Sequence, residues 1–277
     1  GNFLFLPYGP MLEGACSEKD LRDFLEAVRK LGKQEGAAFI RISPFWRDDD
    51  EKRDLLNTLG LRMAPIHMLA ETLWILDLGA RSEQELLMGM ENKHRNLIRR
   101  AEKEGVRIQV STDAEAAERF MHLHQETVGR HGFTPYPKAY FQNQVRFFSA
   151  HHQVEILQAW HEHSLLASAI IMFYGKVGAY HHGASSSNPE FRKIPASYLL
   201  QWKAIQMAKS RGLLQYNFWG IAPPGAKPDH PFYGITHFKA GFGGERKDLI
   251  PCHDLPLSSR YALSWVVEKI RKWKRGF

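Results

Sequence analysis

Apolar residues along this chain change their spacing several times, and each change predicts an element. Phe3 to Leu6 is an unbroken apolar run ended by Pro7, Gly9 and Pro10, which reads as a strand. Leu21, Phe24, Leu25, Val28 and Leu31 then recur at helical intervals, predicting a helix from Ser17 to Leu31 with Ser17 and Asp20 in capping-box positions. Ala37 to Ile42 reads as a strand, Asp50 to Leu59 as a helix and Leu73 to Leu78 as a strand, giving the order β-α-β-α-β.

From Ser82 the helical period predicts one long helix, opened by Ser82 and Glu85 and stopped by Gly105, with Leu86, Leu87, Met90, Leu97 and Ile98 as its buried stripe. Val106 to Val110 is a strand; helices follow from Thr112 to near Gly132 and from Lys138 to Phe148. The texture then turns β-like. Val154–Trp160, Leu165–Tyr174 and Val177–His182 are apolar runs joined by short polar turns, which predicts an antiparallel meander. A helix from Ser197 to Arg211, a strand from Leu214 to Phe218, a Gly/Pro-rich loop and a basic helix from about Ser258 to Lys274 complete the chain. Two helices, three meandering strands, a helix and a strand is the order of an acetyltransferase-like domain. The expected fold is therefore α/β (α+β), two such subdomains in tandem: residues 1–75 with 253–277 as a first, N-terminally incomplete copy, and 76–252 as the second.

Composition narrows the partners. The chain of 277 residues carries a net charge of +7, which favours anionic ligands such as tRNA, a nucleotide-sugar pyrophosphate or an anionic membrane surface. Cys16 and Cys252 form no CxxC, so neither zinc nor a disulfide framework is indicated, and a reducing cytoplasm is the expected compartment. The longest apolar run, Leu165 to Tyr174, is too short to cross a bilayer, which takes ~20 residues. The first residue is Gly1, so the natural start is expected to lie upstream.

Several chemistries are excluded or weakened. There is no GxxxxGK[ST], and the glycines from Gly241 to Gly244 lack the spacing of a dinucleotide site. Acetyl-CoA acetyltransferases place a glycine-rich turn before the helix that follows the meander, so that backbone amides hold the pyrophosphate. Here the turn is Arg192-Lys-Ile-Pro195-Ala196, and proline has no N–H to give. Close histidine pairs such as His161/His163 and His181/His182 lack a third ligand at recognisable spacing, so no metal is expected.

Three stretches together resemble the Fem family of tRNA-dependent peptidoglycan bridge enzymes. They are Trp74 to Leu78 with Glu91 to Val106; Gly183 to Ser187 with Ala196 to Trp202 and Tyr216 to Ile221; and Gly234 to Glu245. The resemblance implies transfer of an amino acid from aminoacyl-tRNA to the side-chain amine of a stem peptide, on UDP-MurNAc-pentapeptide or lipid II, by a cytoplasmic monomer that needs no cofactor and works in contact with the inner face of the plasma membrane. It assigns Lys239 to the oxyanion of aminoacyl transfer, with Phe238 shaping the site. It places Tyr140, Tyr136, His182 and Ser43 at acceptor-binding positions, and Tyr198 and Arg192 near the substrates.

Departures from the family pattern accompany these assignments. An arginine of the family aligns with Tyr136, a tyrosine with His182 and an aspartate with Ser43, while Lys138 is a candidate to restore the lost charge. The family's Trp-x-x-x-Lys segment would precede Gly1, and its coiled-coil arm has no counterpart among these residues. Lys93, Arg95, Arg99, Arg100 and Lys103 form a cationic face suited to the phosphates of a tRNA acceptor stem. The tail from Lys269 to Arg275 either touches anionic lipid or packs back on the first subdomain. Two other functions stay open: an acyl-thioester-dependent N-acyltransferase on the same fold, and a non-catalytic tRNA- or precursor-binding protein.

Overall fold

A computed structural model describes residues 2–11, 17–131 and 135–275. Cys16, Gly132, Phe133 and Thr134 lie outside the described residues. In chain order the elements are β1 (Phe3–Tyr8), α1 (Glu18–Gln34), β2 (Phe39–Pro44), α2 (Asp50–Thr58), β3 (Arg62–Met63), β4 (Thr72–Asp77), α3 (Glu83–Met88), α4 (Asn92–Lys103), β5 (Arg107–Ser111), α5 (Ala114–His131) and α6 (Lys138–Ser149). They continue with β6 (Val154–His161), β7 (Ser164–Tyr174), β8 (Val177–Ser185), α7 (Ala196–Ser210), β9 (Gln215–Gly220), α8 (Tyr233–Ala240), β10 (Glu245–Asp248), β11 (His253–Pro256) and α9 (Arg260–Arg275). The chain divides into two compact units, Gly1–Leu73 with Lys247–Phe277, and Trp74–Arg246.

The first unit is built on a four-stranded sheet in the order β1-β2-β11-β3. β1 and β2 are parallel, and β11 runs antiparallel to β2 and β3. Leu21 and Leu25 of α1 and Leu56 of α2 join Ile40, Ile42 and Leu255 of the sheet in one apolar core. The Ser17 hydroxyl accepts from the Asp20 amide, the cap that the sequence advertises. α9 closes the unit: Tyr261 packs against Phe39 with ring centroids 5.3 Å apart. Arg41, only 1% exposed, donates a fork of bonds to Asp254 (2.7 and 2.8 Å) and a second to Glu268 of α9 (3.0 and 2.7 Å). Of the two readings of the C-terminal tail, α9 therefore packs back on this unit, while Leu263 and Trp273 stay exposed.

The second unit carries a sheet in the order β10-β4-β9-β8-β7-β6-β5. β5 to β8 form the antiparallel meander, and β9 returns parallel to β8. α4 and α7 pack with the sheet around Ile98, Leu157, Ala169, Leu199, Ile205 and Phe218. α5 and α6 pack through Phe120, Leu123, Phe141 and Val145 onto Ile156 and Ile170.

The short strands β3, β10 and β11 lie in segments to which the sequence reading gave no element, and two further differences bear on the site. The single helix expected from Ser82 to Gly105 is two helices, α3 and α4, broken at Gly89–Glu91. The capping box at Ser82 is present, but Gly89 already ends α3, and the Glu91 amide leaves the helical ladder to donate to the Gly241 carbonyl at 2.9 Å. A tertiary hydrogen bond thus interrupts a continuous apolar stripe. The Gly/Pro-rich stretch read as loop contains the two-turn helix α8, whose Phe238 ring packs against the distant Tyr198.

Candidate active site

Lys239 sits in the last turn of α8 and is buried, 5% exposed. Its Nζ donates to the Gly220 carbonyl at 2.6 Å and lies 5.9 Å from the centre of the Tyr180 ring. Burial pushes its pKa down to about 7, because a desolvated ammonium without a counter-charge favours the neutral amine. The same burial raises the Tyr180 phenol to about 12.

α8 is held by an aromatic cluster. The Phe238 ring meets Tyr198 edge-on at 5.1 Å and Phe242 at 5.3 Å. His94 of α4 fills the centre, T-shaped to Tyr198 at 5.0 Å and to Phe242 at 4.8 Å, with Nε2 3.0 Å from the Phe238 carbonyl oxygen. Burial depresses the His94 pKa, so the ring is neutral and donates there. It positions the Phe238–Lys239 segment. Gly241 is the space this requires: a Cβ there would lie 1.8 Å from the His94 ring. Gly241→Ala is accordingly expected to cost ~1–3 kcal/mol of stability, as overpacking does, and to weaken any activity of Lys239. Denaturant unfolding of the variant, read beside its activity, checks both.

Lys239 lies where the sheet opens. β8 and β9 pair only from Val177–Gln215 to Ala179–Asn217, and then part although both strands continue. A β-bulge at His181 re-aims this end of β8, since Ile170 pairs with His182 and Ile171 with Tyr180. His181 stacks between His182 (4.2 Å) and Trp219 (5.2 Å). Trp219 adopts a φ of +68°, a left-handed conformation that costs ~1–3 kcal/mol in a residue with a side chain. The Asn217 side chain supports it, accepting from the Trp219 amide at 2.7 Å.

Tyr136, Tyr140 and His182, three residues expected at the acceptor, do come together. The tyrosines stack at 4.4 Å, and both meet His182 edge-on, at 5.8 and 5.9 Å. Burial drives the His182 pKa down to about 3, so this wall is uncharged at neutral pH. Lys138 does not restore the charge, because its Nζ bonds Glu118 at 3.0 Å on the surface. Ser43 belongs to the other unit, buried on β2 and hydrogen-bonded to the Cys252 side chain.

Beside the Phe238 cluster runs a cleft of about 770 Å³, lined by Leu97, Arg100, Arg130, Ser185–Asn188 and Arg192–Tyr198. Arg100, Arg130, Arg192 and Lys193 are its cations. Arg130 braces the Ser185 and Ser186 carbonyls, Arg100 bonds Glu104 (2.8 Å) and the Lys193 carbonyl (2.7 Å), and Arg192 and Lys193 are exposed. The cleft ends at the start of α7, where Pro195 takes the cap position without a side-chain bond. Of the residues assigned to tRNA, Lys93, Arg99 and Lys103 are exposed on α4. Arg95 is not a free cation: it is half-buried and donates to the Met88 and Met90 carbonyls and to Asn92, closing the end of α3. His94, Arg130 and Lys193 escaped the sequence assignment. For His94 a signal existed, since it stands four residues from both Met90 and Ile98 on the buried stripe.

Residues 89–239 match the acetyltransferase (GNAT) domain family model. The chain belongs to that family. Within it the chain is homologous to the aminoacyltransferase FemA of Staphylococcus aureus, at 28% identity over 116 residues, 42% of this chain and 27% of FemA. The matched segment thus spans about a quarter of that relative's length. A crystal structure of FemX superposes with a TM-score of 0.81 at 19% identity, covering 95% of this chain and 82% of that one. A tandem GNAT protein from the clavulanic acid biosynthesis pathway gives a TM-score of 0.54 at 12% identity, over 86% and 70%. These likenesses show the fold, mixed α/β with tandem GNAT-like units, in agreement with the element order of the sequence.

Proposed function

We propose that this chain is an aminoacyltransferase that moves an amino acid from aminoacyl-tRNA to the side-chain amine of a peptidoglycan stem peptide, forming the amide of an interpeptide bridge. The observation that carries the reading is the placement of Lys239: buried at an open fork in the sheet and adjoining, through Phe238 and Tyr198, a cationic cleft. The homology to FemA supplies the reaction class. The cleft suits the phosphates at the aminoacylated end of the RNA, and the Tyr136–Tyr140–His182 wall suits the acceptor chain that bears the amine. An aminoacyl ester is already activated, so no nucleoside triphosphate is required. Aminolysis passes through an oxyanion, and one positioned donor at such an oxygen is worth ~3 kcal/mol. Lipid II and UDP-MurNAc-pentapeptide are both acceptors to test; lipid II would bring the enzyme to the inner face of the membrane. No described helix is long and apolar enough to cross it.

A second reading, transfer from an acyl thioester, is favoured by the nucleotide-sized cleft at the start of α7 and opposed by Pro195, which has no amide hydrogen there. Incubating the protein with tRNA charged with mixed radiolabelled amino acids, or with labelled acyl-CoA, and each precursor separates the two. Label moving from tRNA supports the first reading; label moving only from acyl-CoA overturns it. The double variant Arg192→Glu/Lys193→Glu is expected to raise KM for aminoacyl-tRNA ~10-fold or more. It should also flatten the salt dependence of tRNA binding, since each lost phosphate contact lowers the log–log slope by about 1.

A further inference from the structure

A lysine-like acceptor amine is an ammonium at neutral pH and has to lose a proton before it attacks. Among the titratable side chains around the fork, on the elements that pack about Lys239, His94 and Tyr216 are buried and Tyr180, His181 and His182 half-buried. Tyr216 of β9 donates to Gln201 at 2.9 Å, and burial keeps its phenol protonated. Tyr180 of β8, raised to about 12, stays protonated. His182, lowered to about 3, holds no extra proton at neutral pH, and burial also lowers His181 beside it. His94 of α4 spends Nε2 on the Phe238 carbonyl. Lys239 is different in kind: its Nζ bonds the neutral Gly220 carbonyl, faces an aromatic ring and forms no ion pair with a carboxylate among the described residues. An ammonium enclosed without a counter-charge is costly, so the resting amine is free to accept a proton.

Resting on the transfer reading above, we propose that Lys239 is the proton acceptor of the reaction, and that the cation it becomes then stabilises the oxyanion. The resting amine of Lys239 takes one proton from the acceptor ammonium. The freed amine adds to the ester carbonyl, forming the C–N bond and placing negative charge on oxygen beside the new Lys239 cation. The attacking nitrogen loses its second proton to solvent. Collapse of the intermediate breaks the ester C–O bond, and the departing ribose oxygen takes the proton held by Lys239, which returns to its neutral form. One proton is released per amide formed.

The test compares two acceptors on one scaffold: the natural amine, and an analogue bearing an aminooxy group, which is already uncharged at neutral pH. Lys239→Ala is expected to lower kcat/KM for the amine ~1,000-fold and for the aminooxy analogue at least ten-fold less than that. Lys239→Met, which keeps the buried volume, repeats the comparison should the alanine variant fold poorly. Lys239→Arg is expected to stay inactive, because a guanidinium keeps its charge and cannot accept a proton. Equal losses with both acceptors, or an arginine variant within ten-fold of the parent, would reduce Lys239 to a fixed cation and overturn the proposal alone. A parent protein that transfers to neither acceptor overturns the transfer reading and this proposal with it.

Discussion

Lys239→Met is expected to leave the protein at least as stable as the parent while slowing transfer ~100–1,000-fold, the loss typical of one oxyanion donor. Both effects come from the same burial. In the folded chain the Lys239 pKa is about 7 against 10.5 for the ordinary side chain, and each unit is worth about 1.4 kcal/mol. Below pH 7 the folded protein holds a desolvated ammonium, at a cost on the order of 5 kcal/mol before its bond to Gly220 is counted. Between pH 7 and 10.5 the unfolded chain binds more protons at this site than the folded one, so stability rises with pH and the penalty fades. The advantage of the methionine variant should thus be greatest at or below pH 7 and shrink towards pH 10. Denaturant unfolding of both proteins at a series of pH values measures it. A methionine variant that is less stable at pH 7 would show that Lys239 is not held unpaired.

The largest loss of stability is expected in the other unit. Arg41→Ala removes a guanidinium that bonds Asp254 and Glu268 at once, and leaves Asp254, 0% exposed, without its counter-charge. Breaking one partner of a buried pair costs ~3–5 kcal/mol. Tyr261 Oη still reaches Asp254 at 3.2 Å, but a phenol supplies one neutral donor and no charge. Because Glu268 is the inner anchor of α9, that helix should become more exposed to amide exchange along with the unfolding shift. Replacing Arg41 and Asp254 together by apolar residues should recover part of the loss, since the fully buried carboxylate then leaves with its partner and only Glu268, 14% exposed, is left unpaired. Thermal or urea unfolding of the single and double variants decides this; an Arg41→Ala protein within 1 kcal/mol of the parent would contradict the network.

How far these features were legible varies with the range of the interaction that makes them. The helix α1, its cap at Ser17 and the meander β6–β8 depend on neighbours a few residues apart, and spacing alone located them. The element order also carried the tandem acetyltransferase-like architecture, because strand and helix periods follow from backbone geometry. The motif around Phe238 and Lys239 was likewise visible as a local run of residues, and in the folded chain the Phe238 ring meets Tyr198, which lines the cleft.

What spacing could not supply were the groups whose meaning depends on distant partners. The break between α3 and α4 is made by the Gly241 carbonyl, far along the chain. Arg95 counts as a cation in the sequence, yet three local acceptors consume its donors. His94 belongs to a run of basic residues but is a neutral core ring under Phe238. Lys138 faces Glu118 instead of the aromatic wall. Above all, the sequence names Lys239 but not its charge. Protonation is set by desolvation and by the absence of a counter-charge, and both are properties of the folded surroundings, so only the tertiary structure decides that this lysine's pKa is pulled down to about 7.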